Sequence, residues 1–289
     1  MRLDDQPESQ NIEDRRGMGM GGGPGMVRLG GIGGLGLAVI VIIGLLLGVD
    51  PATLLGLVEG QAPPDQQTQT SAPPGGQTQA GVDDSQRHFV AQVLGSTEQV
   101  WGDVFAQNGR QYVPPRLVLF SGAVQSGCGI TQSATGPFYC PIDHKVYLDT
   151  AFFRDMQIKL NAPGDFPRAY VIAHEVGHHV QSQLGTADLT ADRSNGDSVR
   201  TELQADCFAG VWANRAADAK KLILNRDDIE QGINAASQIG DDRLQMRARG
   251  YVVPDSFTHG SSAQRVRWFS RGLQSGDIDK CDTFHTNQL

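Results

Sequence analysis

His174-Glu175-Val176-Gly177-His178-His179 lies inside Ala169 to Leu184, a run without proline whose apolar spacing predicts a helix. Positions i and i+4 share a helix face, so His174 and His178 point the same way and can grip one metal ion. Glu175 follows the first histidine directly, where a carboxylate can take the proton of an attacking water in metal-assisted hydrolysis. The pattern is H-E-x-x-H, the arrangement of zinc peptidases. His179 falls about 100° round the helix from His178. With His88 and His285 it has no motif company, so these three read as surface or supporting groups rather than ligands.

A catalytic zinc ion takes three protein ligands and keeps a fourth position open for water. The third is expected in a second proline-free segment, from about Asp197 to Leu224, which carries Thr201-Glu202-Leu203-Gln204-Ala205-Asp206. Between the two segments runs Gly185 to Gly196, rich in Thr, Asp, Ser and Asn, long enough to return a helix antiparallel over the first. Glu202 is then the third ligand. Asp206, at i+4 from it, is placed to accept the outer N–H of a ligand histidine and fix its tautomer. The elongated motif H-E-x-x-H-x-x-G-x-x-H is excluded, because its glycine and third histidine would fall where Gln181 and Leu184 stand.

His174-Glu175-x-x-His178 with Glu202-x-x-Ala205-Asp206 resembles the gluzincin metallopeptidases. The phrases GPFYCP, VYLD, AHEVGHHVQ, ELQADCFAG and THGSSAQRVRWF, from about Val82 onward, are similar to the bacterial membrane-anchored family called putative neutral zinc metallopeptidases. The resemblance implies an α+β zincin fold, one Zn2+ and hydrolysis of peptide bonds, with no particular substrate. Gluzincins commonly supply an oxyanion donor from a histidine well downstream of the third ligand. That implies a catalytic role for His259, which stands ahead of a helix expected over Ala263 to Leu273 and could otherwise simply cap it. A membrane-tethered peptide-binding or scaffold protein with a structural zinc is the alternative. Glu175 weighs against it, since a structural site has no use for a carboxylate beside an open position.

The 289 residues are 39% apolar and 19% charged, with a net charge of −8, which speaks against nucleic acid as a partner. Residues 1–28, with the glycine and methionine run from Gly17, read as a disordered cytoplasmic tail. Leu29 to Val49 carries no charge and as a helix would span about 31 Å, a bilayer's hydrocarbon core. Its glycines, Gly30 and Gly34 among them, offer a face for homo-oligomers. Gly31-Ile32-Gly33-Gly34-Leu35-Gly36 matches a dinucleotide fingerprint only in letters, because no strand precedes it. Arg15, Arg16 and Arg28 precede the span and no Lys or Arg occurs from Val49 to Gln86. The expectation is an inner-membrane protein with one N-terminal helix, its N-terminus cytoplasmic and its catalytic domain periplasmic or extracellular. Residues 50–81, dense in Pro, Gln, Thr and Gly, read as a linker, and 82–289 as the catalytic domain.

In that domain Asp83 to Gln107 keeps helical spacing of Phe89, Val90, Val93, Val100, Trp101, Val104 and Phe105, a core stripe. Arg116 to Ser121 reads as a strand and Gly136 to Asp149 as a hairpin with His144 in its turn, an edge on which an extended peptide substrate could lie. Cys128, Cys140, Cys207 and Cys281 include no C-x-x-C pair, so disulfides are the better reading. Of three connectivities, Cys128 with Cys140 and Cys207 with Cys281 is favoured. The first would close the loop before the strand and the second would tie the C-terminal tail to the ligand helix.

Overall fold

The computed structural model describes residues 1–3, 6–17, 84–132, 136–191, 193–219 and 222–289. The expected membrane helix, its oligomer face and the linker lie outside the described residues. Among the described residues no helix is long and apolar enough to cross a membrane.

The architecture is α+β, with helices packed on one another and on a small sheet. In chain order it comprises β1 (Ile12–Asp14), α1 (Asp84–Gln107), β2 (Arg116–Phe120), β3 (Ala123–Ser126), β4 (Gly129–Gln132), β5 (Phe138–Cys140), β6 (Lys145–Asp149), α2 (Ala151–Lys159), α3 (Asp165–Leu184), α4 (Asn195–Asp218), α5 (Arg226–Gln238), α6 (Asp241–Arg249) and α7 (Ser262–Ser275). The sheet order is β1-β2-β6-β5, with β1 and β6 parallel to β2 and β5 antiparallel to β6, while β3 and β4 form a separate hairpin.

The expected α1, the strand at Arg116 and the hairpin ending in Asp149 are all present. Strands β2 and β6 bury every residue but the first, as strands between a helical layer and a second cluster must. His144 takes φ 56°, so it does sit in the β5–β6 turn.

The disordered reading of residues 1–28 does not hold for the described residues among them. Leu3 is buried in the main core, and β1 pairs with β2 in the register Ile12↔Leu117, Glu13↔Val118 and Asp14↔Leu119. A segment poor in apolar residues is ordered here because it spends its backbone N–H and C=O groups on a strand already fixed by α1 and β6.

Helix α3 begins four residues before the expected Ala169, and Pro167 falls in its first turn, where no amide is owed to a preceding carbonyl. It ends at Gly185, whose φ of 70° suits glycine. Gly177, inside the histidine motif, faces α4: a Cβ there would lie 3.0 Å from the Ala205 carbonyl oxygen. The missing side chain lets the two helices approach until Glu202 reaches the histidines. Gly210 and Gly272 do the same for α4 and α7, where added Cβ atoms would lie 2.2 Å from Phe269 O and 1.9 Å from Cys207 O.

Both favoured disulfides are present: Cys128–Cys140 joins the β3–β4 hairpin to the end of β5, and Cys207–Cys281 joins α4 to the C-terminal segment. That segment is also held by Gln204 Nε2 on Cys281 O at 3.0 Å and Thr283 Oγ1 on Arg200 O at 2.7 Å.

Alanine normally improves on glycine inside a helix, yet Gly272→Ala must force α4 and α7 apart. A loss of about 1–3 kcal/mol is expected, read as a lower midpoint of denaturant unfolding, where a merely helical glycine would give a small gain.

Candidate metal centre

The α3–α4 packing brings His174, His178 and Glu202 together, with one potential ligand atom from each inside 4.8 Å of the others. His174 Nε2 stands 3.1 Å from Glu202 Oε2, and His178 Nε2 stands 3.4 Å from Glu202 Oε1. Two ligand atoms about 2.1 Å from one tetrahedral ion are themselves about 3.4 Å apart, close to the two His–Glu separations, and two imidazoles with a carboxylate are a donor set that zinc takes.

Each histidine is held by its other nitrogen. His174 Nδ1 donates to Asp206 Oδ1 at 2.9 Å, the contact expected from the i+4 spacing. His178 Nδ1 donates to Gln181 Oε1 at 2.9 Å. The Gln181 amide nitrogen is engaged by Thr201 O at 2.8 Å and Gln204 Oε1 at 3.0 Å, so its oxygen is the end presented to His178. Both imidazoles therefore keep Nε2 for the shared point. Gln181 served the sequence reading only as the residue that excludes a longer motif; its spacing of i+3 from His178 was the available signal.

Arg265 is the larger omission. Its Nε and Nη2 meet both oxygens of Asp206, at 2.8 and 2.9 Å, and Tyr170 donates its hydroxyl to the same carboxylate. Burial works against ionised Asp206, but the Arg265 charge and the His174 bond prevail and hold it down at about 2. Burial likewise opposes imidazolium at His174, and the Asp206 and Glu202 carboxylates outweigh it, raising that group to about 10. Glu202 is pushed up by burial and drawn further down by His178 and His174, ending well below the carboxylate range. A cation at the shared point would meet the same negative charge and displace the proton. Glu175 has no such pairing. Burial raises it, against the pull of His174 and His178.

His174, His178, Glu202, Glu175 and His259 line one cleft of about 550 Å³. His259 does not cap the following helix: Ser261 does, in a capping box with Gln264. Instead its ring Nδ1 faces Asp241 Oδ1 at 3.2 Å, while Asp241 Oδ2 accepts the backbone N–H groups of Thr258, His259 and Gly260. Asp241 raises His259 against the effect of burial. The sequence reading named His259 and missed Asp241, which lies in a helix, α6, that it did not find.

β5 ends the sheet and supplies Phe138 and Tyr139 to the cleft wall. His179 fixes it there. This residue is buried rather than at the surface, and burial pushes it down to about 4, so it stays neutral. Its ring meets Val113 O at 2.7 Å and the Tyr139 hydroxyl at 3.2 Å. His88 and His285 pair with Glu8 and Asp282, away from the cleft.

Comparison with known proteins gives the family. The model of the family described as putative neutral zinc metallopeptidase matches residues 1–284. The chain belongs to that family. The match starts at residue 1, well before the Val82 from which the sequence resemblance was drawn, and so includes β1. Among relatives, the uncharacterized protein YpfJ of Escherichia coli (strain K12) is 46% identical over 98% of this chain and 99% of its own length. The uncharacterized protein Rv2575 of Mycobacterium tuberculosis (strain ATCC 25618 / H37Rv) is 41% identical over 85% and 86%. No solved structure matches.

Glu202→Ala removes one of three donor residues and is expected to abolish stoichiometric zinc after dialysis. Asp206→Asn, which keeps the shape and loses the charge, should weaken zinc affinity only about 10- to 100-fold. Metal titration of the two purified variants gives the order; full zinc in Glu202→Ala would move the third ligand elsewhere.

Proposed function

We propose that the protein is a peptidase of zincin type that cleaves peptide bonds with one zinc ion held by His174, His178 and Glu202. The observation that carries this is the company around those residues: a buried carboxylate, Glu175, and an Asp241-held imidazole, His259, line the same cleft. A scaffold with structural zinc would close the coordination sphere with a fourth residue. Among the described residues the cluster holds three.

When bound there, zinc would polarise the scissile carbonyl and bring the pKa of a water down towards about 7. The remaining steps belong to the chain. Glu175, made more basic by burial, takes the proton of the attacking water and later delivers it to the leaving amine. His259, whose protonated form Asp241 favours, donates a hydrogen bond to the oxygen on which negative charge develops. The substrate would lie extended along the free edge of β5, bonding through main-chain groups that any side chain leaves available. Phe152, Leu160, Val171, Ile239 and Leu244 line the cleft with apolar surface, so cleavage beside an apolar residue is expected.

In Glu175→Gln the carboxamide fills the same space and cannot take a proton. Zinc content should match the parent protein while hydrolysis of a peptide library disappears, and turnover near the parental rate would remove the general-base role.

His259→Ala is expected to cost about 100- to 1000-fold in kcat with zinc and folding retained. The pH profile isolates the pair. Because the folded pKa of His259 is raised, its protonated form persists above the usual 6.5 and activity falls only as pH rises through the raised value. Asp241→Asn should therefore move the alkaline limb to lower pH, and an unmoved limb would separate His259 from the rate.

A further inference from the structure

The first seventeen residues are joined to the metal-site domain at every level. Beyond the β1 register, Leu117 donates its N–H to Asn11 O and Arg15 donates to Leu119 O, both at 2.8 Å. Glu13 meets Lys145 Nζ at 2.9 Å, across β2 on β6. Upstream, Ser9 N–H bonds Ala91 O at 2.9 Å, and Ser9 and Asn11 side chains both reach Glu98 of α1. Arg2 and Ile223 exchange backbone bonds at 3.1 Å, and the amino terminus of Met1 pairs with Asp228 of α5. The helix receiving this segment is shaped for it: a Cβ on Gly95, in the middle of α1, would lie 2.2 Å from the Pro7 carbonyl oxygen.

The charge-free run 29–49 lies between that segment and α1. Strands pair at about 5 Å, and a hydrocarbon core is about 30 Å thick, so β1 and β2 cannot face each other across a bilayer. We infer that residues 1–17 and the metal-site domain occupy the same side of any membrane the protein meets. The connection through residues 18–83 then begins and ends on that side, and the arrangement with a cytoplasmic N-terminus and an external domain gives way. The inference is independent of the peptidase reading. It rests on strand pairing and on burial of Leu3.

Two measurements on the full chain test it. Gln10→Cys and Gln274→Cys, both at exposed positions, are made singly and treated with a membrane-impermeant maleimide on intact bacterial spheroplasts and again after lysis. The two sites should respond alike, both labelled before lysis or both only after it, the first outcome agreeing with the two disulfides of the domain. Labelling of one site before lysis and of the other only afterwards would overturn the inference. Gly95→Ala supplies a second readout on detergent-extracted protein. With residues 1–17 docked, the methyl group meets Pro7 and the melting midpoint falls; with them elsewhere, alanine improves a helix interior and the midpoint rises, which would equally overturn it.

Discussion

A single buried carboxylate joins the three helices that make the site. Asp206, on α4, accepts from His174 on α3, from Tyr170 one turn earlier on that helix, and from Nε and Nη2 of Arg265 on α7. A charge removed from water is costly unless paired and fully hydrogen-bonded. Asp206 meets that requirement only when all three helices are in their native places, so the orientation of the first histidine and the packing of the domain are the same condition. The glycines at 177, 210 and 272 supply the other half, because backbones that could not approach so closely would leave the carboxylate short of its partners.

Around this centre the second histidine is governed differently. Gln181 and Gln204 pass a neutral amide relay from His178 to the Thr201 carbonyl, and Gln204 continues it to Cys281 beside the disulfide. One histidine is thus set by ion pairing in the interior and the other by amides that reach the C-terminal segment. Loss of that segment would act on His178 before His174.

Legibility in the sequence followed the range of the interaction. His174, Glu175 and His178 were readable because one helical turn brings them together, and Glu202 with Asp206 because the same period recurs after a polar loop. Both disulfides were readable from count and context. Arg265 was not, since its partner is 59 positions away and an arginine on an amphipathic helix carries no mark of burial. Asp241 was hidden with its helix, whose nine residues offer only Leu244, Met246 and Ala248 as apolar positions and whose first turn is acidic like that of many solvent-facing helices. β1 was hidden most thoroughly. Composition reports what a segment can bury, and this one is held by main-chain bonds and ion pairs to groups more than a hundred residues later.

That last distance bears on how the chain is made. Met1 pairs with Asp228, 227 positions later. At a synthesis rate of about 5–20 residues per second, its partner appears roughly ten to forty-five seconds after it. The Cys207–Cys281 bond waits likewise for a partner 74 positions later. The segment that carries β1 therefore emerges well before β2 and α5, and its strand stays without its partner until they have been made.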